Sequence, residues 1–231
     1  MSNVITDINI PSSLDTENIE QLITSVANLQ PGSLGVLRGS GEAFCFGMNL
    51  TMAHRLDEEC LRTGLQAYAD LLLAMRTAPC VLIAAVEGGA FGGGVGLAAA
   101  CDLVLASNNA RFGLPEALYG FYPAIVFAVL SERMAHQKAR LLALLCESLS
   151  ANEAHDVGLV DVLIEAGYFE ISLQRQIRRL SRADAAGVLG IKCHAVHLGN
   201  LHAALSYGVE ATLASLLTSD VRERLAREVA A

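Results

Sequence analysis

The chain has 231 residues, 53% of them hydrophobic, with no tryptophan and a net charge of −8. Such a composition gives a globular, aliphatic core and excludes a disordered chain. The acidic balance excludes general nucleic-acid binding, which needs a basic surface against phosphate.

In chain order, the opening residues have neither a basic flank nor a long apolar run, so no targeting segment is expected. Asp15 caps a helix whose apolar positions are Ile19, Leu22, Ile23 and Val26, ended by Pro31-Gly32. Leu34, Val36 and Leu37 suggest a short strand, followed by a polar turn and the apolar segment 43–48. A long amphipathic helix fits Leu61, Leu65, Tyr68, Leu72 and Met75, stopping near Pro79. Val81 to Val86 is a wholly apolar strand, Gly88 to Gly96 a glycine-rich turn into a helix, and Leu103 to Ala106 another strand. This alternation predicts an α/β fold with parallel sheet. After Pro123 the pattern is mostly helical, apart from a strand candidate at Leu159 to Ile164. Three or four helices are expected from Phe169 onward. The organisation expected is an α/β core over 1–165 and a helical C-terminal annex over 166–231, without an independent second domain. The apolar stretch 81–106 is broken by Glu87, glycines and Asp102, so it is not read as a membrane span.

The segment Gly88-Gly89-Ala90-Phe91-Gly92-Gly93-Gly94-Val95-Gly96 carries the most chemistry. Glycines permit close backbone approach, and a helix N-terminus offers unpaired N–H groups with partial positive charge. The spacing is neither the dinucleotide fingerprint nor a P-loop, since no Gly-Lys-Ser/Thr follows.

Here the chain resembles the crotonase (enoyl-CoA hydratase/isomerase) superfamily over about residues 30 to 165. The matching segments, in the family's order, are Gly41-Glu42-Ala43-Phe44-Cys45-Phe46-Gly47-Met48-Asn49-Leu50, then Glu87 to Leu97 with Cys101 to Ala106, then Ala110-Arg111-Phe112-Gly113-Leu114-Pro115-Glu116. The resemblance implies a spiral of ββα turns, and an oxyanion hole built from the N–H groups of Met48 and Gly93. It places Glu116 as a catalytic glutamate, and Cys45, Phe46, Phe91, Gly92, Tyr119 and Tyr122 around the substrate. The family's other glutamate falls at Gly96, so only one motif carboxylate remains. Asn49 stands where most members have aspartate.

The run Glu116 to Ala124, with Arg133 to Ala139, is similar to a polyketide-associated branch that dehydrates 3-hydroxy-3-methylglutaryl groups on an acyl carrier protein. The resemblance therefore implies a lyase on a carrier-protein or CoA thioester, with no tightly bound cofactor, assembled as a homotrimer or dimer of trimers. A decarboxylase, an enoyl-CoA hydratase/isomerase, and a non-catalytic acyl-pantetheine-binding scaffold remain as alternatives.

Other residues carry a bland reading beside a sharper one. The six cysteines (Cys45, Cys60, Cys80, Cys101, Cys146, Cys193) lack metal-knuckle spacing and read as reduced thiols of a cytoplasmic protein. Cys45 beside the oxyanion segment has no motif histidine to make it a nucleophile. His194 and His197 lack a third ligand, so no metal is expected. His136 reads as surface or interface. Asp102 reads as a structural anchor for backbone N–H groups. Tyr119 and Tyr122 are as consistent with packing as with the acyl pocket. Arg175, Arg178, Arg179 and Arg182 read as solvated helix charge, with an acidic carrier protein or cofactor phosphates as the alternative.

Overall fold

The computed structural model describes residues 4–40, 43–49 and 53–229. Five strands form one parallel sheet in the order β1-β2-β4-β6-β9: β1 (Ile5–Ile10), β2 (Leu34–Gly39), β4 (Val81–Val86), β6 (Leu103–Ser107) and β9 (Val162–Ile164). Four short strands form a second sheet, β3-β5-β7-β8: β3 (Ala43–Cys45), β5 (Gly89–Phe91), β7 (Arg111–Gly113) and β8 (Leu149–Ser150), with only the β7–β8 pair antiparallel. The chain runs from a strand of the large sheet to one of the small sheet, then through a helix back to the large sheet. This ββα turn recurs as β2-β3-α2-β4 and β4-β5-α3-β6, where α2 is Glu58–Thr77 and α3 is Gly93–Ala100.

Local chemistry sets these elements. Helix α1 (Thr16–Ala27) begins with a capping box: the Asn18 N–H donates to Asp15 Oδ1, and the Asp15 N–H donates to Asn18 Oδ1. Its last turn ends at Asn28, ahead of Pro31-Gly32. Helix α2 is capped by Asp57, which accepts from the Cys60 N–H. Strand β4 is buried along its whole length because both faces of the sheet are covered. Leu82, Ala84 and Val86 face the main core, while Val81, Ile83 and Ala85 face a second cluster with Phe169, Leu173 and Ile177 of α7 (Phe169–Leu180). That division follows the two-residue period of a strand.

By the resemblance the family's first hairpin is barely represented before Asp15; the structure places strand β1 there, paired with β2 from Ile5 opposite Leu34 to Ile10 opposite Gly39. Only Ile8 and Ile10 of this edge strand are buried, so its alternation covers too few residues to stand out. The strand expected over Leu159 to Ile164 is shorter, beginning at Val162. The N–H groups of Leu159 and Val160 are spent on the Ala154 carbonyl instead.

Helices α4 (Ala124–Arg133), α5 (His136–Leu145) and α6 (Ala151–Asp156) precede β9. After β9 come α7, α8 (Ala185–Gly199), α9 (Leu201–Leu216) and α10 (Ser219–Val229). Helix α9 packs against α2 and α4, and its Leu201, Leu205, Val209, Leu213 and Leu216 belong to the main core. No described helix is long and apolar enough to cross a membrane.

Asp102 sits between two elements. Its Oδ2 accepts from the Leu82 N–H at 2.8 Å and from Lys192 Nζ at 2.7 Å. Lys192 also donates to the Cys80 carbonyl and the Met75 carbonyl, which lies near the C-terminus of α2. Removing one partner of a buried pair strands the other. Lys192→Ala is therefore expected to lower stability by about 3–5 kcal/mol, read as a shift in the urea midpoint. A change under about 1 kcal/mol would mean that the pair behaves as a surface salt bridge.

Candidate active site

Two glycine-bearing segments meet at the end of the small sheet. After β3 the chain runs beside residues 12–14. The Phe46 N–H donates to the Ser12 carbonyl, the Leu14 N–H to the Gly47 carbonyl, and the Asn49 N–H to the Leu14 carbonyl. Leu14 and Met48 are thus partners in an isolated parallel bridge. Successive N–H groups of an extended segment point to opposite sides. The Met48 N–H therefore points away from Leu14. Gly47, at φ +82°, makes the bend, and its own N–H lies against Cys45 Sγ at 3.4 Å.

The second segment follows β5. Gly92 adopts φ +51° and donates its N–H to the Gly113 carbonyl of β7 at 2.9 Å. Gly93 then opens α3, where the first N–H groups have no intrahelical acceptor. The two segments touch backbone to backbone: a Cβ at Gly47 would stand 2.6 Å from the Gly93 nitrogen. Among the described residues, neither the Met48 nor the Gly93 N–H is hydrogen-bonded. Two free donors on adjoining segments can stabilise a developing oxyanion.

Glu116 opens a 3₁₀ turn (Glu116–Tyr119) that follows β7. It is only 6% exposed, and a Cβ at Gly92 would stand 3.0 Å from its Oε1. Its Oε2 is buried without a hydrogen-bond partner among the described residues. Burial pushes the carboxyl up to about 7, partly opposed by its own backbone N–H. A pocket joins these groups. It is lined by Phe46, Met48, Gly92, Gly93 and Glu116, with apolar walls from Leu14, Leu65, Phe121, Val126 and Leu216. The side-chain hydroxyls on it belong to Tyr68 and Thr212, and among the described residues no lysine, arginine or histidine lines it.

The remaining sequence candidates lie elsewhere. Phe91 stacks on Phe46, ring centroids 6.1 Å apart, with Phe46 more than half exposed near the pocket. Cys45 is wholly buried beneath the segment, off the pocket lining, and burial pushes its thiol up to about 11. Tyr119 is half-buried against the main core. Tyr122 is exposed and lines a different cleft with His136, Leu198 and Tyr207, while its carbonyl accepts from Thr212 Oγ1. Arg175, Arg178, Arg179 and Arg182 are all exposed on or just after α7. The six cysteines are free thiols. The side chain of His197 lies outside the described residues, as do Gly41, Glu42 and Leu50 of the first matching segment. In the sequence Tyr68 is one apolar position of an amphipathic helix, and Thr212 carries no mark. Neither lies in a motif segment, and a lone hydroxyl on an apolar helix face gives no signal.

The profile of the family described as Enoyl-CoA hydratase/isomerase matches residues 7–198. The chain is 30% identical over 224 residues to the bacillaene synthase dehydratase PksH of Bacillus subtilis, covering 95% of this chain and 79% of that protein. It is 37% identical over 136 residues to a putative enoyl-CoA hydratase of Thermus thermophilus, covering 57% of this chain and 53% of that one. Among solved structures, a putative polyketide biosynthesis enoyl-CoA hydratase (pksH) from Bacillus subtilis superposes with a TM-score of 0.88 at 24% identity, over 97% of this chain and 93% of that one. With the matched profile spanning most of its length, the chain belongs to the enoyl-CoA hydratase/isomerase (crotonase) family and is an enzyme of that type.

Proposed function

We propose that this enzyme dehydrates a 3-hydroxyacyl thioester, with 3-hydroxy-3-methylglutaryl on an acyl carrier protein as the substrate and a 3-methylglutaconyl thioester as the product. The observation that carries the reading is Glu116, a buried carboxyl with an unpartnered oxygen on the same pocket as the free Met48 and Gly93 N–H groups. Ionised Glu116 takes the C2 proton, and the electron pair moves onto the thioester oxygen, held by the two N–H groups. The pair then returns to form the C2–C3 double bond as the C3 hydroxyl leaves. Protonated Glu116 supplies the proton that makes it water. One carboxyl thus serves first as base and then as acid.

The likeness to PksH over most of the chain supports the carrier-bound, polyketide-associated substrate. The tether is a phosphopantetheine or CoA thioester, with no tightly bound cofactor. A homotrimer or dimer of trimers and a cytoplasmic setting belong to the same proposal. Exposed Leu198 and Tyr207 leave apolar surface for a neighbouring copy.

The test is intact-protein mass spectrometry of carrier proteins loaded with 3-hydroxy-3-methylglutaryl and, separately, with neutral 3-hydroxybutyryl. Loss of water from the first is expected. Loss of carbon dioxide would move the reading to a decarboxylase, and binding without mass change to a scaffold. Because the pocket lining holds no cation among the described residues, faster turnover of the neutral chain would displace the substrate with a free distal carboxylate while keeping the dehydration. The pH dependence follows from Glu116. The base must be ionised and its carboxyl sits at about 7 rather than the ordinary 4.5. The rate kcat/KM should therefore rise tenfold per pH unit well below 7 and level off above it. A limb near 4.5 would show that the base is not this buried carboxyl.

A further inference from the structure

We infer that Tyr68 is the positioning residue that holds the Gly93 donor in place, and that its hydroxyl restricts the site to a single carboxylate. This rests on the oxyanion role proposed for Gly93. Tyr68 lies on the buried face of α2 with Leu61, Leu65, Leu72 and Met75, a face that phenylalanine would fill equally well. Its hydroxyl instead donates to the Gly93 carbonyl at 2.6 Å, at the short end for a hydroxyl bond. Gly93 has no side chain by which a neighbour could hold it. It is flanked by the Gly47 backbone on its nitrogen side and by the Tyr68 hydroxyl on its carbonyl side. The carbonyl belongs to the peptide after Gly93 and the N–H to the peptide before it, so Tyr68 holds the first while the Gly47 backbone lies against the second. Restrained on both sides, Gly93 keeps its N–H direction while charge develops on the substrate oxygen.

The same hydroxyl fills space beside α3. A Cβ added at Gly96 would collide with the Tyr68 oxygen, whereas the ring carbon bearing it stands 3.3 Å away. Position 96 therefore cannot carry a side chain while Tyr68 is present, and no second acid can enter the pocket from this part of α3. Burial, with the nearby Glu116 carboxylate, holds the phenol well above its usual range, so the hydroxyl remains a donor at every working pH.

The experiment compares the wild type, Tyr68→Phe, Gly96→Ala and the double variant. The readouts are kcat and KM on a carrier-bound 3-hydroxyacyl thioester, melting temperature, and the infrared carbonyl band of bound ¹³C-acetyl-pantetheine thioester. For Tyr68→Phe, kcat should fall about 10–100-fold with KM within about twofold. The carbonyl band should move toward that of the free thioester. Gly96→Ala should lower the melting temperature in the wild type and lower it less beside Tyr68→Phe, where the ring carbon and Val126 Cγ2, each 3.3 Å from the added Cβ, need only a small shift. Unchanged kcat and carbonyl band in Tyr68→Phe would overturn the positioning role, as would a melting loss with unaltered kcat in the folded fraction. An equal cost of Gly96→Ala in both backgrounds would overturn the spatial restriction. If the wild type turned nothing over, the dehydration reading would fail, while the carbonyl band and the Gly96 coupling would still decide the part assigned to Tyr68.

Discussion

Glu116→Gln is expected to abolish dehydration while leaving thioester binding nearly intact and making the protein more stable at alkaline pH. Glutamine keeps the size of the side chain but cannot accept the C2 proton. Removing a general base typically costs about 10²–10⁴-fold, and here the same group also serves as acid, so the loss should reach the upper end or beyond. The stability change follows from linkage. The Glu116 carboxyl is pushed from the ordinary 4.5 to about 7 by burial. Between those values the folded protein binds more protons than the unfolded chain. Stability therefore falls as pH rises from 4.5 to 7 and stays lowered above it. At 1.36 kcal/mol per pH unit the full effect is about 3 kcal/mol. Glutamine removes this penalty, although its buried amide keeps a desolvation cost of its own. The net gain expected at pH 8 is about 1–3 kcal/mol, shrinking to nothing near pH 4.5. Urea unfolding of both proteins at the two pH values checks it. Joint loss of activity, binding and stability would instead make Glu116 a structural residue.

Gly47→Ala is expected to remove most of the activity through the backbone alone. At φ +82° any L side chain is strained by about 1–2 kcal/mol. The added Cβ would also stand 2.6 Å from the Gly93 nitrogen and 2.9 Å from the Phe91 carbonyl oxygen, and neither backbone atom can swing away like a side chain. The two segments must then separate, and the donors they carry lose their common target. One oxyanion donor is worth about 10²–10³-fold in kcat, so a loss of about 10³-fold or more is expected if both are displaced. Gly167→Ala is the control. Gly167 has φ +88° with nothing within 4 Å of the added Cβ, so it carries the dihedral strain without touching the site. Equal activity loss in both variants would show that general strain, not donor geometry, is being read.

Much of this arrangement was legible in the residues. The apolar run Val81 to Val86 and the periodic helix 58–77 each carry a local signal and stand where expected, whereas the turn expected over Gly88 to Gly96 holds strand β5 and the first turn of α3. The edge strand β1 was missed because burial on one face of six residues leaves only Ile8 and Ile10 as pattern. For the site, the motif segments marked Met48, Gly93 and Glu116, all of which line one pocket. The same segments also marked Cys45 and Tyr122, which the chain turns elsewhere. Burial or exposure of one residue in a short loop depends on neighbours distant in sequence.

The α/β class is carried by period and turn residues, which are local, while the ββα order and the placing of Glu116 at the family's catalytic position come from the resemblance of the motif segments. Tertiary structure alone decided that the Gly47 loop lies against Gly93 and that Oε2 of Glu116 is buried without a partner. It also decided that a tyrosine 28 positions before Gly96 fills the space beside that glycine. Donor direction, desolvation and excluded volume depend on which segments meet across the core, and that is settled only when α2, α3 and the two sheets pack together.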